Sequence, residues 1–262
     1  MIKHFIFNSM IIAFAAFTIT SCIKPKSLKE GKMNSELGLK NDKTVYGLAC
    51  EGCTDSVLIF LPGDGSNPIK YDIIDAHNNH KIFGHPETGD WIAIIINKKD
   101  KGVVDEVIDL DQLKGTWCYM VMPRMRDAAH MSAKMRARMI QNLPDSIKNT
   151  FLVPREYGLT IGRQYSARTI GYNPLNKEED SPVEYPTAPL FSGWHIWNGK
   201  LVLTEQREKK KKDGSTEFVD WRLDTTEIVT LMKDSLVIKG AYTQCFYRKG
   251  TRGKAKTPMV MP

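Results

Sequence analysis

Residues 194–203 read Trp-His-Ile-Trp-Asn-Gly-Lys-Leu-Val-Leu, two apolar runs on either side of an Asn-Gly pair. Asn198 and Gly199 favour a type I′ turn, because both central residues of that turn have positive φ. The stretch therefore predicts a β-hairpin in which residues 194–197 pair with residues 200–203.

Two more hairpins follow this one along the chain. Lys212-Asp213-Gly214 forms one turn signal, and residues 233–235 form the next. The segments around these turns are rich in β-branched and aromatic residues, and apolar and polar side chains alternate in them. The predicted strands are residues 201–206, 217–223, 226–232, 236–239 and 242–248. A run of antiparallel hairpins predicts a mainly β fold.

Upstream of the hairpins, Gly115-Thr116-Trp117 stands at the head of a predicted strand, and a helix is predicted for residues 127–142. Together with Arg248 on the last strand, this Gly-x-Trp motif resembles the lipocalin-like domain of lipoproteins from the Bacteroides group. The resemblance covers residues 113–249. It implies an antiparallel barrel in which Trp117 closes one end and Arg248 lies across that tryptophan. The helix after the first strand departs from the lipocalin pattern.

A long loop from Gly171 to Ser192 departs from the pattern as well. It is acidic and too long for a simple hairpin connection. Two interpretations stand: a lid over the barrel mouth, or an insertion without a role in binding.

Residues 44–112 form a separate region of short β runs and turn signals. Strand-like runs occur at residues 56–61, 69–76 and 91–96. This region predicts a small all-β domain of five or six strands, either a barrel or a sandwich. The expected fold class is mainly β, with this N-terminal domain followed by a lipocalin-like barrel that carries one inserted helix.

The N-terminus predicts export and a lipid anchor. Residues 1–21 combine a basic start, an apolar run and small residues before Cys22, which resembles the lipobox of bacterial lipoproteins. Acylation of Cys22 would attach the protein to a membrane. Residues 22–43 then serve as anchor and flexible tether, and residues 250–262 form a basic tail. The expected location is the cell envelope, on the periplasmic face of the outer membrane.

Composition excludes some functions. The formal net charge is +7, but an exported chain without aromatic residues interleaved among the basic ones is a poor nucleic-acid binder. Motifs of hydrolases, nucleotide-binding loops and metalloprotease helices are absent from the sequence. No cofactor and no metal are predicted, and an enzymatic activity has no support.

The cysteines other than Cys22 form an even set, Cys50, Cys53, Cys118 and Cys245. In an oxidising compartment they predict two disulfides. A bridge between Cys118 and Cys245 would join the first and last barrel strands. Cys50 and Cys53 also permit a redox dithiol, although a strand rather than an activating helix follows them. A zinc site with His77 and His80 is a further alternative.

The inserted helix carries methionines at four-residue spacing, Met131, Met135 and Met139, with Lys134 and Arg138 on another face. We expect this amphipathic helix to cap the barrel with its methionines in the core. Contact with an anionic membrane or a partner protein is the alternative.

Three functions follow from these patterns. The first is an envelope lipoprotein that binds or presents a small amphipathic ligand, with Trp194, Trp197 and Trp221 as candidate contacts. The second is a structural or interaction module that holds another envelope protein and has a filled barrel. The third is a thiol oxidoreductase that acts through Cys50 and Cys53.

Overall fold

The structure is a computed structural model that describes residues 39–126, 130–171 and 183–250. Its strands form two larger sheets of six and eight strands and a two-stranded one, which confirms the mainly β fold class. The predicted signal peptide, Cys22 and nearly all of the C-terminal tail lie outside the described residues. Within the described ranges, no helix has the length and apolar character needed to cross a membrane.

The six-stranded sheet belongs to the N-terminal region. Its strands run in the order β3-β2-β1-β5-β6-β4, and every pair is antiparallel except β4 and β6. The strands are β1 (Thr44–Ala49), β2 (Val57–Pro62), β3 (Ile69–Asp72), β4 (Ile82–Phe83), β5 (Trp91–Ile96) and β6 (Val104–Asp109). An isolated bridge between Asp72 and Val103 brings edge strand β3 to the start of β6, so the sheet curls toward a small barrel.

The strand predicted for residues 69–76 is wrong in its second half. β3 ends at Asp72, and a short helix, α1 (Ile74–Asn78), follows. The Ile74 backbone N–H donates to the Asp72 carboxylate at 2.8 Å. Such a local bond from an Asp side chain offers the backbone a turn instead of a strand ladder, which explains the change of structure.

The eight-stranded sheet follows α2 (Leu110–Leu113) and has the order β10-β9-β7-β16-β15-β14-β13-β12. Its strands are β7 (Gly115–Val121), β9 (Arg155–Ile161), β10 (Ala167–Ile170), β12 (Leu190–Trp197), β13 (Lys200–Lys210), β14 (Thr216–Leu231), β15 (Ser235–Lys239) and β16 (Thr243–Arg248). A short pair, β8 (Arg124–Met125) and β11 (Val183–Glu184), lies outside this sheet. The strands follow chain order, so this is an up-and-down antiparallel arrangement.

The two edge strands of this sheet, β10 and β12, meet and close it into a barrel. At this seam the Trp194 N–H donates to the Tyr165 carbonyl at 2.9 Å, beside a bridge between Ser166 and Gly193. Closure removes the sheet edges that would otherwise expose unpaired backbone groups. A lipocalin-like barrel is therefore the fold of residues 115–248.

The three predicted hairpins are confirmed. Trp197 pairs with Lys200 across Asn198 and Gly199, whose φ angles of 50° and 77° fit the predicted turn. The turns at Gly214 and Ser235 also lie where the sequence places them. The segments predicted as strands 217–223 and 226–232 form one long strand, β14, which ends at Leu231.

The inserted helix differs from its prediction. Two helices, α3 (Ala133–Asn142) and α4 (Asp145–Phe151), replace the single helix expected at 127–142, and residues 127–129 lie outside the described part. Ser132 caps α3 through a bond from the Met135 N–H. No side chain of α3 is buried, and Met135 is 58% exposed. The expectation that its methionines fill the barrel core is therefore wrong.

The small sheet packs against the closed end of the barrel. Tyr46, Ala93 and Ile108 share one apolar cluster with barrel residues such as Leu201. The Tyr46 hydroxyl donates to the Ile196 carbonyl at 2.8 Å. On the other face of the small sheet, Leu58, Phe60, Ile92, Ile94 and Val107 form a second core. The alternation of side chains along each strand lets one sheet serve both cores.

Glu106 lies at this junction, beside the turn of the first barrel hairpin, and its Oε2 is 3.8 Å from the Lys81 ammonium. Burial raises its pKa to about 7, although Lys81 opposes the shift. The folded state thus keeps a proton that the unfolded chain loses near its ordinary value of 4.5. Stability from this group is present below that value and is lost as pH rises toward about 7.

We expect Glu106→Gln to remove this pH dependence. As the pH rises from 5 to 8, the free energy of unfolding of the wild type should fall relative to that of the variant. The fall should be roughly 1–2 kcal/mol, because the site is partly solvated. Urea unfolding at a series of pH values measures the difference. Glu51→Gln, at an exposed position, is the matched control and should leave the profile unchanged. Parallel profiles for wild type and Glu106→Gln would contradict this prediction.

Candidate functional site

The closed end of the barrel is built from the residues that the sequence singled out. Trp117 is fully buried, and its indole N–H donates to the Leu113 carbonyl at 2.8 Å. The Arg248 guanidinium lies over the Trp117 ring, 4.3 Å from its centroid, and donates to the Lys114 carbonyl at 3.0 Å. Gly115 has a φ of +143°, and a side chain there would overlap Arg248. These contacts seal this end against solvent.

Beyond Trp117 the barrel contains a cavity of about 380 Å³. Its volume falls within the range of roughly 300–1,000 Å³ that is typical of small-molecule sites. Leu159, Leu203, Ile238 and Phe246 supply apolar walls. All four are buried members of the barrel core. The barrel is therefore not filled, and its free space is lined by apolar groups at the level next to the closed end.

Polar side chains replace apolar ones toward the other end of the cavity. Along β13 the inward positions pass from Leu203 to Glu205, and along β14 from Thr226 through Asp224 to Arg222. Arg222 and Glu205 form an ion pair between the two strands. The Glu205 side chain is 10% exposed, whereas that of Arg222 is 54% exposed, so the pair spans the boundary between cavity and solvent.

Aromatic side chains surround the same space. Tyr119, Phe191, Tyr242 and Phe246 line the cavity, and the rings of Tyr119 and Phe246 meet edge to face at 5.3 Å. Burial raises the pKa of Tyr119 to about 12, so its hydroxyl is neutral and available as a hydrogen-bond donor at neutral pH. The walls therefore offer apolar faces with polar edges.

The described end of the long acidic loop reaches this cavity. Thr187, Ala188 and Pro189 line it, and the Pro189 carbonyl accepts a hydrogen bond from the Thr169 hydroxyl at 2.7 Å. The Phe191 N–H donates to the same hydroxyl at 2.9 Å. These bonds fix the described end of the loop against β10. Residues 172–182 lie outside the described part.

None of the three tryptophans proposed as ligand contacts lines the cavity. Trp194 is buried in the barrel core and donates to the Gly162 carbonyl at 2.9 Å. Trp197 lies at the first hairpin turn and donates to the Lys40 carbonyl at 3.2 Å. Trp221 is 45% exposed and stacks with Arg222, whose guanidinium is 4.8 Å from its ring centroid. The structure thus corrects the assignment of these residues to the pocket.

All four described cysteines are free thiols, so the two predicted disulfides are not found. Tyr247 rather than Cys245 lies opposite Cys118 across β16 and β7. Cys245 is two positions further along, and such diagonal neighbours are roughly 7–8 Å apart, too far for a disulfide without backbone movement.

Cys50 and Cys53 lie in the turn between β1 and β2. The Ile59 N–H donates to the Cys53 sulfur at 3.3 Å. The residues that follow form strand β2 and not a helix, so the electrostatic activation that reactive Cys-x-x-Cys pairs draw from a helix N-terminus is missing here. The geometry gives the thiol oxidoreductase hypothesis no support.

A second cavity of about 680 Å³ lies between the small domain and β14. It brings together Cys53, His77, His80 and His85, the residues around which the zinc alternative was drawn. Nevertheless, no group of three or more Cys, His, Asp or Glu side chains in the described ranges has the spacing of a metal site. The groove also holds exposed apolar groups, Val229 and Met232.

Sequence reasoning missed the ion pair of Glu205 and Arg222 and the carboxylate of Asp224. A signal exists for Glu205, because it shares one face of the predicted strand 201–206 with Leu201 and Leu203. Asp224 falls between the predicted strands 217–223 and 226–232, so strand alternation gave no signal for it. A polar residue in phase with core residues marks the level at which a barrel interior becomes wet.

Comparisons with known proteins add little to this description. The chain matches no protein-family model and no curated protein. Among solved structures, it is similar to a lipocalin-like protein from Bacteroides thetaiotaomicron at 15% sequence identity, with a TM-score of 0.26. The match covers 52% of this chain and 94% of that one. So low a score carries no weight, and the fold assignment rests on the strand order of the barrel.

Proposed function

We propose that this protein binds a small amphipathic molecule in the barrel cavity. The observation that carries the proposal is the gradient along β13 and β14, from Leu203 at the apolar level to Glu205, Arg222 and Asp224 at the polar level. An apolar tail placed beside Leu203 and the other apolar walls would leave water, while a polar head would remain next to the charged groups.

The apolar walls of the cavity are formed by Leu159, Leu203, Ile238 and Phe246. A filled barrel interior would have favoured a purely structural module. The cavity of about 380 Å³ favours ligand binding instead.

We further propose that this binding takes place in the bacterial cell envelope. The support is the sequence alone: residues 1–21 have the pattern of an export signal, and Cys22 stands at the position of lipid attachment. A lipid anchor and a polar tether would hold the barrel near a membrane surface, where amphipathic molecules are concentrated. The periplasmic face of the outer membrane is the proposed side.

A fluorescent probe tests the binding proposal directly. N-phenyl-1-naphthylamine is a neutral, apolar dye whose emission rises when it leaves water. Titration of the full chain, purified without detergent, should give a saturable increase with one site per chain. Octanol should displace the dye, because it offers an eight-carbon tail and a polar head. A linear, unsaturable rise, or no rise at all, would contradict the proposed function.

A further inference from the structure

The described residues that line the barrel cavity include more acidic side chains than basic ones. Among the described residues that line it, only Glu205, Arg222 and Asp224 have a carboxylate or guanidinium side chain. Glu205 and Arg222 neutralise each other in their ion pair. In the described part of the chain, no hydrogen bond or ion pair involves the Asp224 side chain. The cavity thus presents one uncompensated negative charge.

The position of Asp224 makes this charge available to a ligand. It lies on β14 between Arg222 and Thr226, both of which line the cavity, and it pairs across the sheet with Leu203. Asp224 is partly buried. A carboxylate with restricted access to water gains more from a cationic partner than one on the open surface does.

The aromatic walls favour the same sign of charge. Tyr119, Phe191, Tyr242 and Phe246 surround the cavity, and the face of an aromatic ring carries negative potential that attracts a cation. A carboxylate combined with several rings is a suitable environment for an ammonium group. An anionic head would instead meet Asp224 and the rings without compensation, because Arg222 is already paired with Glu205.

From these observations we infer that the ligand carries a cationic head, an organic ammonium group that pairs with Asp224, on an apolar tail that lies between Leu159 and Leu203. This inference rests on the proposed function, since it names the class of amphipathic molecule that enters the cavity. It assigns Asp224 as the residue that determines specificity for charge.

Three probes of equal tail length separate the possibilities: octylamine, octanol and octanoate, each used to displace N-phenyl-1-naphthylamine from the full chain at pH 7.5. The amine, like that of lysine, is protonated at this pH. Octylamine should bind about tenfold more tightly than octanol, the gain expected for one hydrogen-bonded charge pair. Octanoate should bind more weakly than octanol.

Asp224→Asn tests the assignment of the residue. The variant should lose about tenfold in octylamine affinity and keep its octanol affinity. Asp213→Asn, in the exposed turn between β13 and β14, is the matched control and should change neither. Equal affinities for the three probes, tighter binding of octanoate, or an unchanged octylamine affinity in Asp224→Asn would overturn the inference while octanol binding upholds the proposed function. Absence of all binding would overturn both.

Discussion

Replacement of Trp117 by alanine is expected to lower the free energy of unfolding by about 3–5 kcal/mol, as is typical of a fully buried tryptophan. The indole is removed from water, and its N–H is bonded to the Leu113 carbonyl. Its loss would leave a void beneath the Arg248 guanidinium, which now lies 4.3 Å from the ring centroid. Because the barrel is closed at this point, the neighbouring strands cannot collapse readily into the void.

Trp221→Ala provides the matched control, since it makes the same chemical change at a side chain that is 45% exposed. This control should cost less than about 1 kcal/mol, mainly the stacking with arginine. Urea unfolding followed by circular dichroism measures both variants. Equal losses for the two, or a loss below 1 kcal/mol for Trp117→Ala, would contradict the account of the closed end.

Leu203→Trp is expected to weaken binding of N-phenyl-1-naphthylamine by about 100-fold, which corresponds to about 2.7 kcal/mol. Leu203 lies at the apolar level of the cavity, next to the space that the tail of a ligand would occupy. A tryptophan there fills space that is free in the wild type. The protein should therefore remain folded, with a stability change of about 1–3 kcal/mol from crowding.

Thr225→Trp places the same side chain on the same barrel, but at an exposed position of β14. Binding by this control should equal that of the wild type. If Leu203→Trp binds the dye as tightly as Thr225→Trp does, the dye occupies another site and the barrel cavity is not the binding site. Thermal melts of both variants establish that each is folded at the temperature of the titration.

The hairpins of the barrel could be predicted because their turns are encoded locally. Asn198-Gly199 has the backbone conformations that its turn requires, and the strands on either side need only pair with each other. The prediction of the closed end, formed by Gly115, Trp117 and Arg248, came from resemblance to the lipocalin pattern rather than from residue spacing. The order of the strands around the barrel then followed from the sequence of hairpins.

The facing of individual side chains was harder to predict, because β-bulges change it. A register shift between Glu205 and Gln206 leaves Trp221 without a direct partner on β13, so simple alternation fails to place that tryptophan. A bulge inserts one residue and alters which side chains point inward. Trp221, which was predicted to contact the ligand, therefore lies outside the cavity. Its neighbour Arg222 lines the cavity instead.

The prediction of a disulfide between Cys118 and Cys245 was wrong for a related reason. The prediction relied on the first and last strands being neighbours, which they are. Adjacency does not determine register, however, and a displacement of two residues separates the thiols. The packing of the inserted helix could not be predicted, because an amphipathic pattern shows which face is apolar but not what that face contacts.

Nuclear magnetic resonance of the full chain with labelled isoleucine, leucine and valine methyl groups tests the central claim most directly. In the presence of N-phenyl-1-naphthylamine, we expect intermolecular Overhauser effects from the dye to Leu159, Leu203 and Ile238, which line the barrel cavity. Overhauser effects confined to Ile82, Val229 and Leu231, which line the second cavity, or the absence of any to the barrel interior, would contradict the claim that the barrel binds an amphipathic ligand.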